Sequence, residues 1–346
     1  RKVALPWESS ARIFGDAILA VKVPSLCRYA TRRLLQAVPL VIGVLVVNFV
    51  LVNSVPGDPV QFLLAEAPGD PELEATMRRY FGLDKPLYER LFVYFLNIAR
   101  GDFGYSYTQG RPVLAIITER IGATLLLVGG SLIVSAILGI LLGVFAAMKP
   151  YGLRDGLVTG STILAYSIPY FWLGLLLILC FSYLIPLFPA SGIVSLRLEA
   201  KGVAYAIDVL HHLFLPLMTL AIYILAVNVR LTRTRMLETL RSDFITLARA
   251  KGLDERTVTF THGLRNALLP VVTILGYQFG GLISGSVVVE TIFGWPGMGR
   301  LMYETILSRD YLVLMGIFIL ASLFVIGANL VTDLIYARLD PRIRYG

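Results

Sequence analysis

Six stretches of the chain are continuously apolar for about 18 residues or more, the length a helix needs to cross a hydrocarbon core of about 30 Å. They run from about Leu34 to Val55, Thr124 to Met148, Leu157 to Phe188, His212 to Val229, Leu268 to Val289 and Tyr311 to Tyr336. None has the apolar/polar alternation or the ~10-residue length of a barrel strand. The pattern predicts an all-α, polytopic membrane protein of about six transmembrane helices.

The segments between the runs carry patterns of their own. The loop 56–122 is too long for a bare connection. Asp70 and Pro71 read as N-cap and first helical position, with Gly82 closing that helix; a second starts near Pro86, has Leu87, Leu91, Phe95 and Ile98 on one face, and ends at Gly101. Two amphipathic helices on the outer surface would either cap the bundle or serve as a platform for an external partner. Between the fifth and sixth runs, Val289 to Asp310 mixes Phe293, Trp295, Leu301 and Met298 with Gly294, Gly297 and Gly299. That segment is either an interfacial aromatic anchor or a loop that dips into the bundle, where Phe293, Trp295 and Met298 would form an outer gate or a contact for an external protein.

Charge then sets an orientation. The chain has 31 Lys and Arg against 23 Asp and Glu. With the N-terminus inside, 20 of the 31 basic residues fall on the inner side, as cytoplasmic loops require. Both termini are expected on the cytoplasmic side of the membrane. The net charge of +8 reflects topology and contact with the lipid bilayer, so no nucleic acid is expected as a partner. The segment 1–30 is basic, only mildly apolar and without a signal-peptide core, and is expected to be an interfacial helix or a mobile tail; 31–346 forms the membrane domain. Cys27 and Cys180 are placed too far apart to pair.

Much catalytic and energy-transducing chemistry is missing. There is no P-loop, HExxH, CxxC pair or Gly-x-Ser-x-Gly, so any energy source must come from another chain or an ion gradient, and no enzymatic activity is expected. Ion-coupled carriers place carboxylates or histidines at midplane, and these runs are nearly bare of them. Asn48, Asn228, Gln278 and Asn329 remain as pathway candidates, each equally readable as a polar group satisfied by a neighbouring helix. Asp333 has Arg338 as a possible partner. His211 and His212 are adjacent, and adjacent helical residues point in different directions, so a metal site there is weakly supported.

The charged loop 230–266 holds eight basic residues. Asp243 as N-cap starts a helix Phe244 to Lys251, with Gly252 in a left-handed C-cap; Asp254 caps a second helix, Glu255 to His262, which Gly263 closes. Phe260 and Leu264 form a small apolar stripe. Helices this short are unstable alone, so the spans above or a partner below must hold them. The loop is either a solvated basic surface or a foot that docks on a cytoplasmic protein.

At this loop the residues resemble a family. ARAKGL (Ala248 to Leu253) followed by RNALLP (Arg265 to Pro270) is similar to the coupling-loop motif of ABC-importer permeases, with Gly252 and Pro270 in place and Thr246 where the family has Glu. PGDP (Pro56 to Pro59), GLDKP (Gly82 to Pro86), GDFGYS (Gly101 to Ser106), SIPYFWLG (Ser167 to Gly174), ETIFGWPGMGRL (Glu290 to Leu301) and LDPRIRY (Leu339 to Tyr345) resemble the B-type subunit of the dipeptide/oligopeptide (and nickel) branch. The resemblance implies a type I ABC-importer permease bundle with cytoplasmic coupling helices. It implies partners: a homologous second permease, two cytoplasmic ATPases or a fused equivalent, and an extracytoplasmic peptide-binding protein. This chain would carry no cofactor, ATP and Mg being bound by the ATPases. The coupling surface would comprise Thr246, Ala248, Gly252, Leu253, Asp254, Glu255, Arg256, Phe260, His262 and Pro270. A permease for nickel or another small solute, or an ion-coupled carrier, is the alternative.

Overall fold

The computed structural model describes residues 26–54, 71–80, 84–195 and 201–339. In chain order the elements are α1 (Leu26–Ser54), α2 (Pro71–Tyr80), α3 (Leu87–Ala99), the short strands β1 (Tyr105–Ser106) and β2 (Arg111–Pro112), α4 (Val113–Met148), α5 (Leu153–Ser167) and α6 (Tyr170–Ile178). Then follow α7 (Val203–Leu240), α8 (Asp243–Ala250), α9 (Glu255–Thr257), α10 (Arg265–Ile292), α11 (Met298–Leu307) and α12 (Tyr311–Leu339). Among the described residues five helices are long and apolar enough to span a bilayer, or six when α5 and α6, bent by 95° at a break, are counted as one span. Counted so, the spans correspond to the six apolar runs.

α4 and α7 form the spine. At 36 and 38 residues they are about 54 and 57 Å long, so both project beyond a 30 Å core. Between membrane helices no hydrophobic drive operates, so attraction depends on close backbone approach and polar contacts. Gly139 and Gly143 of α4 supply the approach, lying directly under Asn228 and Thr232 of α7. Ser131 Oγ donates to Leu217 O at 3.1 Å along the same seam. α10 lies against α4 and α7 and carries α12, which packs on α1; α5 and α6 cover another side of α7.

The two ends differ. The basic end bears the turn at Lys149 and the loop from Arg241 to Leu264. At the opposite end Leu127, Leu213, Leu215, Phe293 and Trp295 form the largest buried apolar cluster. There Asp310 opens α12 and pins the β1–β2 hairpin, accepting from Ser106 Oγ at 2.5 Å and Thr108 Oγ1 at 2.7 Å. α3 leans on the same end of α1, with Phe49 and Tyr94 rings 5.7 Å apart and Arg90 donating to Asn53 Oδ1 at 2.6 Å.

Several sequence expectations need correction. The third apolar run is not one helix: Pro169 lacks an amide and drives Ile168 into an extended conformation (φ −82°, ψ 124°), which ends α5 and starts α6 afresh. The chain leaves helix at Ile185 after a π-helical stretch Leu179–Leu184, short of Phe188. The fourth run is much longer than its apolar core, since Val203 to Leu240 are helical on both flanks of it. Asp333 pairs with Arg33 of α1 at 3.2 Å; the Arg338 side chain lies outside the described residues. Gly101 does end α3, at φ +78°. The expected caps Asp70 and Gly82, and the segment 1–25, lie outside the described residues.

Candidate functional site

At the basic end the chain makes a joint. Ser242, extended at φ −76° and ψ 155°, occupies the N-cap position expected of Asp243, and Asp243 becomes the first residue of α8. An acidic side chain in the first turn suits the helix dipole there. Gly252 has φ +79°; its amide bonds to Arg249 O at 2.9 Å, and the amide of Leu253 reaches Ala248 O at 3.4 Å. That is a left-handed helix end of the kind glycine favours. Asp254 then caps α9, accepting from Thr257 N at 3.0 Å. The Thr257 hydroxyl and amide hold the Asp254 carboxyl below its ordinary range, so the cap stays ionised at neutral pH.

The two sides of the joint are tied together. Arg249 makes a forked ion pair with Glu255 (2.7 and 3.3 Å) across Gly252. Ile245, Ala248 and Val258 close a small buried cluster beneath it. Facing outward are Phe244, Leu247, Leu253 and Phe260, each at least 40% exposed, interspersed with the exposed Lys251 and Arg256.

One expectation about the loop fails. Gly263 does not end a second short helix, because α9 passes through a π-helical stretch Val258–Leu264 into α10 without a break. Leu264 and Arg265 both keep helical angles. A Cβ on Gly263 would lie 3.1 Å from Leu240 Cδ2 and 3.3 Å from Val258 O, so its glycine serves close packing against α7 and not termination. The foot is therefore one free helix, α8, hinged to the extended root of a membrane span.

Of the expected coupling residues, the structure brings Thr246, Leu253, Glu255, Arg256 and Phe260 to the exposed face of this joint, with Ala248 buried under it. His262 is half-buried, its carbonyl accepting from Asn266 Nδ2 at 2.8 Å. Pro270 stands apart, inside α10.

The other candidates are scattered. Asn48 donates to Met315 O at 3.1 Å on the α1–α12 seam, and Asn228 to Ser135 Oγ at 2.7 Å on the α4–α7 seam. Both are buried helix-to-helix contacts. Gln278 on α10 is half-buried and Asn329 on α12 exposed. Phe293, Trp295 and Met298 are 2%, 0% and 6% exposed, so as placed here they offer no surface to an external protein. Their segment dips into the bundle, Trp295 Nε1 donating to Ala123 O at 2.8 Å. His211 and His212 make separate contacts, with Leu187 O and Asp208 O.

Besides Asp310, two buried carboxylates escaped the sequence reading. Glu290, fully buried, accepts from Thr124 Oγ1, Ser286 Oγ and Arg300 N at 2.8 to 2.9 Å. Its signal was an acid at the end of an apolar run, followed by Gly297 and Gly299. Asp155 receives Arg233 of α7 in a forked pair (2.5 and 2.6 Å) and also accepts Tyr151 N at 2.8 Å. This pair ties the start of α5 to the projecting part of α7 just above the joint. Asp155→Ala is expected to cost about 3 kcal/mol, because it strands a guanidinium only 21% exposed. In a double-mutant cycle on the purified protein, Asp155→Ala with Arg233→Ala should cost clearly less than the two single losses added together.

The architecture and the jointed loop define a class: an all-α membrane permease bundle with a free foot at one end. Residues 139–345 match the family described as binding-protein-dependent transport system inner membrane component, and residues 26–128 match the N-terminal region of such membrane components. The chain belongs to this family. It is 39% identical over 321 residues to the oligopeptide transport system permease protein AppB of Bacillus subtilis, covering 92% of this chain and 100% of that one. It is 37% identical to the dipeptide transport system permease protein DppB of Escherichia coli K12 (92% and 99% covered), and 38% identical to the glutathione transport system permease protein GsiC of the same strain (92% and 100%). Among solved structures, the MetNI methionine ABC transporter aligns with a TM-score of 0.52 at 16% identity, over 66% of this chain and 97% of that one. That likeness concerns the fold.

Proposed function

We propose that this chain is a translocation subunit of an ATP-driven importer of short peptides, worked from its basic end by cytoplasmic ATPases. The observation that carries the reading is the joint: a free helix and the turn after it, with Phe244, Leu247, Leu253 and Phe260 uncovered, held at a fixed angle by Gly252 and the Arg249–Glu255 pair. A permease that binds no nucleotide needs such a part to receive force from a neighbour that does. The likeness to oligopeptide, dipeptide and glutathione permeases supports peptides as the cargo class. On this reading the basic end and both termini are cytoplasmic, and a second permease, two ATPases and an external peptide-binding protein complete the machine. The chain itself catalyses nothing; ATP and Mg stay with the ATPases.

Gly252 gives the test. A Cβ there meets nothing within 4 Å, so Gly252→Val is penalised by its backbone angle alone, by about 1–3 kcal/mol, and leaves the bundle folded. Gly252→Pro is more severe, since proline cannot adopt φ +79° and lacks the amide that bonds Arg249 O. In vesicles holding the complete transporter, both variants should retain ATP hydrolysis while peptide uptake falls, Pro below Val. Full uptake in both variants contradicts the joint's role.

A further inference from the structure

Near the break between α5 and α6, Tyr166 of α5 and one side of α7 border a cavity. α5 runs 15 residues, about 22 Å, before Pro169 ends it, which is shorter than a hydrocarbon core of about 30 Å. Irregular backbone at membrane depth persists only against protein or a water-filled space, because lipid offers its polar groups no partner. The amides of Tyr170, Phe171 and Trp172 begin α6 and lack intrahelical acceptors.

Three tyrosines gather at this break. Tyr166 and Tyr170 flank it, and Tyr223 of α7 stacks on Tyr166 (5.6 Å, 14°) and leans on Tyr170 (5.5 Å). From Tyr223 an open stripe continues down α7 through Val227, Arg230 and Thr234, at helical spacing. Tyr166, Val227, Arg230, Leu231, Thr234 and Glu238 line a cavity of about 380 Å³. Small-molecule sites occupy about 300–1,000 Å³.

The charges in this stretch are unevenly matched. Arg233 pairs with Asp155 on another face, and Arg235 with Glu238 at 2.9 Å. Arg230 has no carboxylate partner among the described residues. Arg230 stands one residue past the apolar run that ends at Val229, exposed on the wall of the cavity, where its guanidinium can take an anionic group.

We propose that this groove is the wall along which the cargo peptide moves, with Arg230 receiving its C-terminal carboxylate and Tyr166, Tyr170 and Tyr223 supporting its backbone and side chains. Tyrosine suits that task, being apolar on its faces and hydrogen-bonding at its tip, so it tolerates many side chains. Charge complementarity selects the occupant: Glu238 is taken by Arg235, and a zwitterionic peptide brings the carboxylate that Arg230 lacks among the described residues. The inference rests on the import reading and assigns it residues that none of the four amides Asn48, Asn228, Gln278 and Asn329 supplies.

The test uses the complete transporter in vesicles with labelled alanyl-phenylalanine. Arg230→Gln is expected to reduce ATP-dependent uptake about tenfold, the loss of one charge-assisted contact, while Arg230→Lys keeps most of it. A photoreactive benzoylphenylalanine at position 223 should crosslink to the peptide during turnover. Unchanged uptake in Arg230→Gln, or crosslinks from position 223 only to another protein chain, overturns the groove assignment while leaving import intact. Absence of ATP-dependent uptake in the unaltered transporter overturns the import reading itself.

Discussion

Glu290→Ala should destabilise the end of the bundle opposite the joint more than any other single removal of a polar group. Glu290 is fully buried and its two oxygens serve different elements. Oε1 accepts from Thr124 of α4 and from Ser286 of α10, and Oε2 accepts the amide of Arg300 in the first turn of α11. Thr124 in turn accepts from Met298 N at 2.8 Å, so the carboxylate organises both amides that open α11. Removing it leaves three buried donors unpartnered at about 1–3 kcal/mol each, roughly 4 kcal/mol after relaxation. Glu290→Gln keeps one acceptor but turns an amide group toward other donors, and should cost less than Ala. Hydrogen exchange on the purified protein checks this: α11 amides should lose protection in Glu290→Ala, with α8 unchanged. Equal protection in the variant and the parent contradicts the assignment.

This node also explains two glycines. A Cβ on Gly297 would overlap the Glu290 carboxyl group, and one on Gly299 would stand 2.6 Å from Val287 Cα. The glycines of that segment therefore serve close approach of backbone to a buried acid.

Helix number, the left-handed Gly252 and the Asp254 cap were legible because each rests on local chemistry: run length, a glycine after a helix, an aspartate before one. Gly263 misled because the same residue type that ends helices also permits close packing, and only the position of Leu240 distinguishes the two. The break at Pro169 was masked by the unbroken apolarity around it; hydropathy reads burial in lipid and is blind to backbone direction. Asp155 and Glu290 were hidden for a different reason. Their partners lie 78 residues away at Arg233 and 166 away at Thr124, and no periodicity within a helix reports such distances. For Phe293, Trp295 and Met298 the sequence left an interfacial anchor and an inward dip both open, because aromatic residues gather at membrane interfaces and glycine allows close approach; folding the segment inward satisfies Trp295 on Ala123.

Gly143→Ala should loosen the spine itself. Its Cβ would stand 2.6 Å from Thr232 Cβ and 2.9 Å from the Val229 carbonyl oxygen, closer than such atoms approach, so α4 and α7 must separate. Overpacking of this kind costs about 1–3 kcal/mol. Separation also weakens the seam's polar contacts one turn away, where Gly139 lies under Asn228 and Asn228 meets Ser135. Asn228→Ala by contrast loses only that hydrogen bond, on average about 0.6 kcal/mol between membrane helices, so thermal unfolding in detergent should rank Gly143→Ala well below it. Thr232→Ala should not rescue Gly143→Ala, because alanine retains the Cβ that collides. Thr232→Gly should rescue it in part, since the Val229 carbonyl remains in the way. Rescue by Thr232→Ala equal to that by Thr232→Gly would place the obstruction in the threonine's outer atoms and not in backbone approach, and the spine would owe its tightness to something other than its glycines.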